Sequence, residues 1–154
     1  VAFFTWEASW GKVLTLDQLQ KRRYFLANRC FLCLFEVETV DHLLLHCAKT
    51  RVLWNLLFFL FGVSWILSYL VKETLLGWHG SFVGKAHKKA WQAAPLYIFW
   101  TVWNERNLLA FGNEELSLQI LKNSFVCNLW FWVRVSINLS PFSFVSFINW
   151  LDSK

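Results

Sequence analysis

The chain has 154 residues and a net charge of +5, a length that suits about one domain with a modest core. Hydrophobic residues make up 56% of it and charged residues only 16%, against roughly 45–50% and 25% in an average soluble domain. This excludes a disordered tail, because so much apolar surface has to be buried against itself, against further polypeptide or in a membrane. The chain begins at Val1 and contains no methionine, which reads as a piece of a longer protein.

In chain order, residues 1–13 form an aromatic, helix-compatible stretch broken at Gly11. Thr15 and Gln18 fit a capping box, which predicts a short helix running to about Tyr24. A helix is expected from about Asp41, with Cys47, Trp54 and Phe61 recurring every seven residues on one face. Gly62 and Ser64 predict a break, followed by helix over 65–77 and a loop over 78–84. Helix returns over 85–111, interrupted at Pro95, and carries Trp100, Trp103 and a polar patch from Asn104 to Asn107. Gly112 is a stop signal, and Asn113 with Glu114 and Glu115 reads as the cap of a helix over 116–135. Ser140 and Pro141 predict a last helix start. No repeat, low-complexity tract or hairpin signal occurs. The fold class is mostly α: a small helical domain with a zinc-knuckle-like turn near its N-terminus and several amphipathic, aromatic helices.

Three of the four cysteines and two of the four histidines fall within residues 29–47. Cys30, Cys33, His42 and Cys47 are spaced C-x2-C-x8-H-x4-C. Three sulfurs and one imidazole nitrogen suit a closed, tetrahedral Zn2+ site, and a closed site is structural because no position is left for substrate. Buried unliganded cysteines, disulfides in a secreted chain and chance spacing are the competing readings. His42 and Cys47 are five apart, an awkward angle within one regular helix, and His46 shares a helix face with His42. Geometry alone does not choose between Cys47 and His46.

The stretch RCFLC, the acidic run Glu36 to Asp41, His42-Leu43, Cys47 and Leu53-Trp54 resemble the zinc-binding domain that follows the polymerase in plant non-LTR (LINE-type) retrotransposon reverse transcriptases. Upstream, Phe4, Trp6, Gly11, Thr15, Leu19 and Arg22 are similar to that family's entry helix, F-x-W…G…T-x-x-x-L-x-x-R. Downstream, Trp100, Trp103, Arg106 and Asn107 are similar to its W-x-x-W-x-x-R-N helix. Family members often have glycine or a small polar residue just after the second cysteine, which lets the turn close; this chain has Leu34 and Phe35 there. The resemblance implies a zinc-binding domain over 1–62 and an aromatic-rich helical extension over 63–154. It implies Cys30, Cys33, His42 and Cys47 as ligands, with His46 a bystander. It also implies a non-catalytic module of an RNA-directed DNA polymerase, inside the cell, that helps hold RNA or DNA or packs on the polymerase portion of its parent.

The bases cluster at Lys21, Arg22 and Arg23 and at 85–89. Clusters of this kind suit a polyanion as readily as a solvated helix face. Lys21, Arg22 and Arg23 lie just before the cysteine turn and are the candidate phosphate contacts. No Y-x-D-D occurs, and Asp17, Asp41 and Asp152 are isolated, so the chain is not read as an enzyme. Two other readings stand beside this one. Residues 52–71 hold no charged residue between Arg51 and Lys72, and as one helix they would span about 30 Å, the thickness of a bilayer core. Asn55, Gly62, Ser64 and Ser68 interrupt that run, so two buried helices with a bend are expected and a membrane is the lesser reading. The other is a pure protein-interaction module.

Overall fold

The computed structural model describes residues 1–78, 87–112, 117–137 and 143–152. Among these the elements are all helical: α1 (Ala2–Ser9), α2 (Leu16–Lys21), a π-helical turn (His42–His46), α3 (Ala48–Phe61), α4 (Val71–Gly77), α5 (Lys88–Gly112), α6 (Leu118–Ile137) and α7 (Phe144–Asp152). The mostly-α expectation therefore holds. The expected caps at Asn113 and Ser140, Lys85 of the second basic cluster and most of the 78–84 loop lie outside the described residues.

Helix α5 is the hub, packing against α6, α3, α1 and the π turn. Its hydrophobic face meets Trp54 and Leu57 of α3 and Phe125 and Leu129 of α6 in one continuous core. The core is aromatic at its centre. Trp78 stacks on Trp91, with centroids 4.3 Å apart and planes within 10°, and Trp54 meets Trp78 and Phe99 edge-on at 5.5 and 6.0 Å. These offset and edge-to-face arrangements are the ones that ring quadrupoles favour.

Pro95 does not interrupt α5, which runs through it without a break. A proline inside a helix has no N–H for the carbonyl four residues back, here that of Trp91. The indole Nε1–H of Trp78 donates to that carbonyl at 2.7 Å, so the orphaned acceptor is satisfied from outside the helix.

Two helix starts depend on carboxylates far away in sequence. Thr15 occupies the N-cap position of α2 in extended conformation, but its hydroxyl turns to the Asp17 carboxylate instead of capping the helix. The Leu16 N–H donates to Glu38 Oε1 at 3.0 Å. At α4, the Val71 N–H donates to Asp41 Oδ1 at 2.8 Å. The helix expected over 65–77 accordingly starts only at Val71, where Asp41 supplies the cap.

The uncharged run 52–71 is not one helix. Helix α3 ends at Phe61, with Gly62 left-handed at φ 62°, a backbone region that glycine enters without Cβ strain. The Val63 N–H returns to the Phe58 carbonyl at 3.0 Å, closing a Schellman-type stop, and 63–68 is non-helical. Among the described residues, no helix is long and apolar enough to cross a membrane. The single spanning helix of the membrane reading is therefore not formed.

Candidate metal centre

The first half of the site is a tight turn. The Cys30 N–H donates to the Glu36 carbonyl at 2.8 Å, and the Leu34 N–H to the Cys30 carbonyl at 2.9 Å. Leu34 sits at φ 62°, in the left-handed region where a Cβ costs about 1–2 kcal/mol. That backbone requirement gives a physical reason for a glycine or small polar residue at this position. The turn is anchored from below by Glu38, which is fully buried. One carboxylate oxygen accepts from the Phe31 N–H at 3.4 Å, and the other from the Arg106 guanidinium at 2.7 Å as well as from Leu16. Arg106 lies between the rings of Phe31 and Trp103, at 4.9 and 5.0 Å from their centroids.

The second half is the π turn. The Thr39 hydroxyl accepts from the His42 N–H at 3.1 Å, and the Cys47 N–H reaches back five residues to the His42 carbonyl at 2.7 Å. This wide turn removes the geometric objection to a His and a Cys five apart. His42 opens the turn, and Cys47 closes it with ψ 137°, leaving the helical path. The carbonyls freed by the widening are taken from outside: the Thr50 hydroxyl donates to Leu43 at 2.6 Å and the Trp54 indole to Leu44 at 2.9 Å. Leu43, Leu44 and Leu45 are all fully buried, so the middle of the turn is packed in the core while His42 and His46 at its ends are half-buried. Such π turns are often found at functional sites.

The two halves bring Cys30, Cys33, His42 and Cys47 together, with their ligand atoms within 4.8 Å of one another. Cys30 Sγ and Cys47 Sγ are 4.0 Å apart, and Cys33 Sγ is 3.4 Å from His42 Nε2. In a zinc tetrahedron with bonds of about 2.3 Å to sulfur and 2.0 Å to nitrogen, the corresponding edges are about 3.8 and 3.5 Å. The donor set and its spacing thus fit zinc, with Cys30 and Cys47 buried and Cys33 and His42 half-buried.

The electrostatics suit a cation. The Cys47 thiol is lowered by the hydrogen bond it receives from Cys30, and further by backbone N–H groups of Lys49 and Thr50 in the first turn of α3. A helix N-terminus stabilises a thiolate in this way. Without a metal the cluster shares protons. Cys30 is pushed up to about 12 by donating to Cys47 and by burial. His42 is raised to about 9, chiefly by its bond to the Cys30 sulfur, with burial opposing and Cys33 adding to the rise.

His46 points elsewhere: its Nε2 meets the Tyr69 carbonyl at 2.8 Å, and its ring lies against that of Tyr69. Lys21, Arg22 and Arg23 are exposed at the end of α2, with Lys21 reaching Asp17 at 3.9 Å. Cys127 is exposed on α6 and takes no part in the cluster. Sequence reasoning passed over Glu38 and Arg106 as a pair. The available signal was one acid flanked by β-branched Val37, Thr39 and Val40, and one arginine in a tryptophan-rich helix.

No curated protein and no solved structure matches the chain. The family model described as zinc-binding in reverse transcriptase matches residues 1–54, a segment that contains all four members of the cluster and ends at Trp54, whose indole holds the π turn. In that segment the chain is similar to the zinc-binding part of reverse transcriptases.

Proposed function

We propose that the chain is a non-catalytic zinc-binding module from the C-terminal part of a reverse transcriptase, of the plant LINE type, in which Cys30, Cys33, His42 and Cys47 hold one structural Zn2+. The observation that carries this reading is the convergence of those four ligand atoms within 4.8 Å, inside the segment that matches the family model. Bound zinc would cross-link the cysteine turn to the start of α3, and this chain's residues orient the ligands: Glu38 holds the turn, and Thr39, Thr50 and Trp54 hold the π turn. Residues 1–62 form the zinc-binding unit, and 63–154 the aromatic extension that packs on it.

In the same reading the module helps the parent enzyme hold RNA or DNA through Lys21, Arg22 and Arg23. These side chains are exposed immediately before the cysteine turn, so phosphate contact would leave the metal ligands untouched. The test is zinc content by elemental analysis together with binding of labelled single-stranded RNA. About one zinc per chain and salt-sensitive RNA binding support the reading. A metal-free chain that melts unchanged contradicts the first part, and an absence of RNA binding at low salt contradicts the second, leaving packing on the polymerase as the better account.

A further inference from the structure

Most of the aromatic residues on the helices are core, but the loops around the cysteine turn are an exception. Among the described residues, Phe25 and Phe35 are the two most exposed aromatic side chains, at 103% and 90%. Phe25 follows α2, and Phe35 caps the turn just after Cys33. Two other exposed rings of the N-terminal region have cations over them, Lys12 over Trp6 at 5.6 Å and Lys72 over Trp10 at 4.7 Å, and Phe3 lies against Trp6, whereas Phe25 is as open as in an extended chain.

The two loops are held to each other through short bonds. The Gln20 side chain donates to the Leu26 carbonyl at 2.8 Å and accepts from Asn28 at 3.3 Å. Asn28 in turn accepts from the Glu38 N–H at 2.8 Å, and Cys30 is bonded to Glu36. Arg23, at φ 67°, turns the chain out of α2 into this loop. Along the chain, four exposed bases, Lys21, Arg22, Arg23 and Arg29, lie within four residues of Phe25, against the acids Asp17, which Lys21 reaches at 3.9 Å, and Glu36 next to Phe35.

Open aromatic faces among cations are the features that bind single-stranded nucleic acid, whose bases expose π faces that a duplex hides in its stack. We propose that Phe25 and Phe35 each stack on a base of a single strand whose phosphates run along Lys21, Arg22, Arg23 and Arg29. This rests on the nucleic-acid reading above and adds to it the strandedness and the residues that sense it. A purely electrostatic patch would need no bare rings, and a hydrophobic protein contact would not need exposed bases on the same loops.

The test uses the zinc-loaded full chain and three labelled probes: an oligothymidylate, an abasic oligonucleotide of equal length and a duplex. All three carry phosphates, but only the first offers free base faces. Anisotropy titration of the parent should show thymidylate bound about tenfold or more tighter than the abasic strand, the scale of one stacked base, with the duplex no better than the abasic strand. Phe25→Ala/Phe35→Ala should bring thymidylate down to the abasic level with zinc content unchanged, and replacing Lys21, Arg22 and Arg23 by Ala should weaken both strands while keeping their ratio. Equal binding of thymidylate and abasic strand by the parent overturns stacking and leaves the phosphate reading standing. No binding of any probe by the parent removes both.

Discussion

The Arg106 guanidinium and the Glu38 carboxylate meet at 2.7 Å with 4% and 0% of their side chains exposed, and they join α5 to the cysteine turn across 68 residues of sequence. Such a pair is worth little against a well-packed apolar substitute, but removing one partner strands a buried charge. Arg106→Ala should therefore destabilise the chain by about 3–5 kcal/mol in urea unfolding. Glu38→Gln combined with Arg106→Met should cost clearly less. Equal loss in the single and double variants would mean that the pair is not what ties α5 to the turn.

Zinc removal should weaken the site. Structural zinc contributes on the order of 10 kcal/mol in small finger peptides, so chelation or Cys33→Ser should sharply reduce the hydrogen-exchange protection of residues 24–60 and lower the melting temperature of the chain. His42→Ala should release the metal, while His46→Ala should leave zinc content intact, because His46 is committed to the Tyr69 carbonyl. Loss of zinc from both variants, with Cys47→Ser tolerated, would assign the fourth position to His46.

The metal-free chain should respond to pH in a defined direction. His42 has a folded value of about 9 against its ordinary 6.5, so the folded state holds this proton more tightly than the unfolded one. The stability it contributes is fully present below about pH 6.5 and is lost as the pH rises through about 9. Zinc must displace the same proton, so its affinity should climb over that window. Melting of chelated parent against His42→Asn from pH 6 to 9.5 checks this: the parent's advantage should shrink as pH rises.

Leu34 stands in the left-handed region at φ 62° and is itself exposed, so Leu34→Gly should relieve strain without leaving a hole. A gain of about 1 kcal/mol, seen as a higher urea midpoint together with tighter zinc binding in a chelator competition, is expected. Unchanged or lower stability would mean that the unfolded-state freedom of glycine outweighs the relieved strain.

If Lys21, Arg22 and Arg23 contact three phosphates, the logarithm of single-strand affinity should fall with that of salt at a slope of about −2, from roughly −0.7 per contact. Replacing all three with Ala should flatten most of that slope. An unaltered slope would place the phosphate contacts elsewhere.

That Cys30, Cys33, His42 and Cys47 come together was legible in part from residue type and spacing, while the preference for Cys47 over His46 came from the family resemblance. The long helices α5 and α6 were legible close to where they lie, over 85–111 and 116–135, with the stop at Gly112 dividing them. What could not be read came from partners distant along the chain. The Thr15 and Gln18 pattern is a sound capping box in isolation, but a carboxylate 22 residues away takes the Leu16 N–H. Helix α4 begins where it does because its cap comes from 30 residues upstream. Pro95 reads as a breaker until the Trp78 indole takes up the Trp91 carbonyl. The π turn has no local signature, since its widened backbone is supported by Thr50 and Trp54.

Glu38 and Asp41 lie three residues apart in the spacer between Cys33 and His42, and they serve the N-termini of two different helices, α2 and α4. The length of that spacer is therefore set by protein architecture as much as by the coordination of a metal. Inserting or deleting one residue between 34 and 41 would shift one or both carboxylates out of register with the amides of Leu16 or Val71, even if all four ligands were kept. Sequences that share this helical arrangement should hold the eight-residue spacing constant after they have lost their cysteines, so the spacing would outlast the zinc site as a mark of common descent.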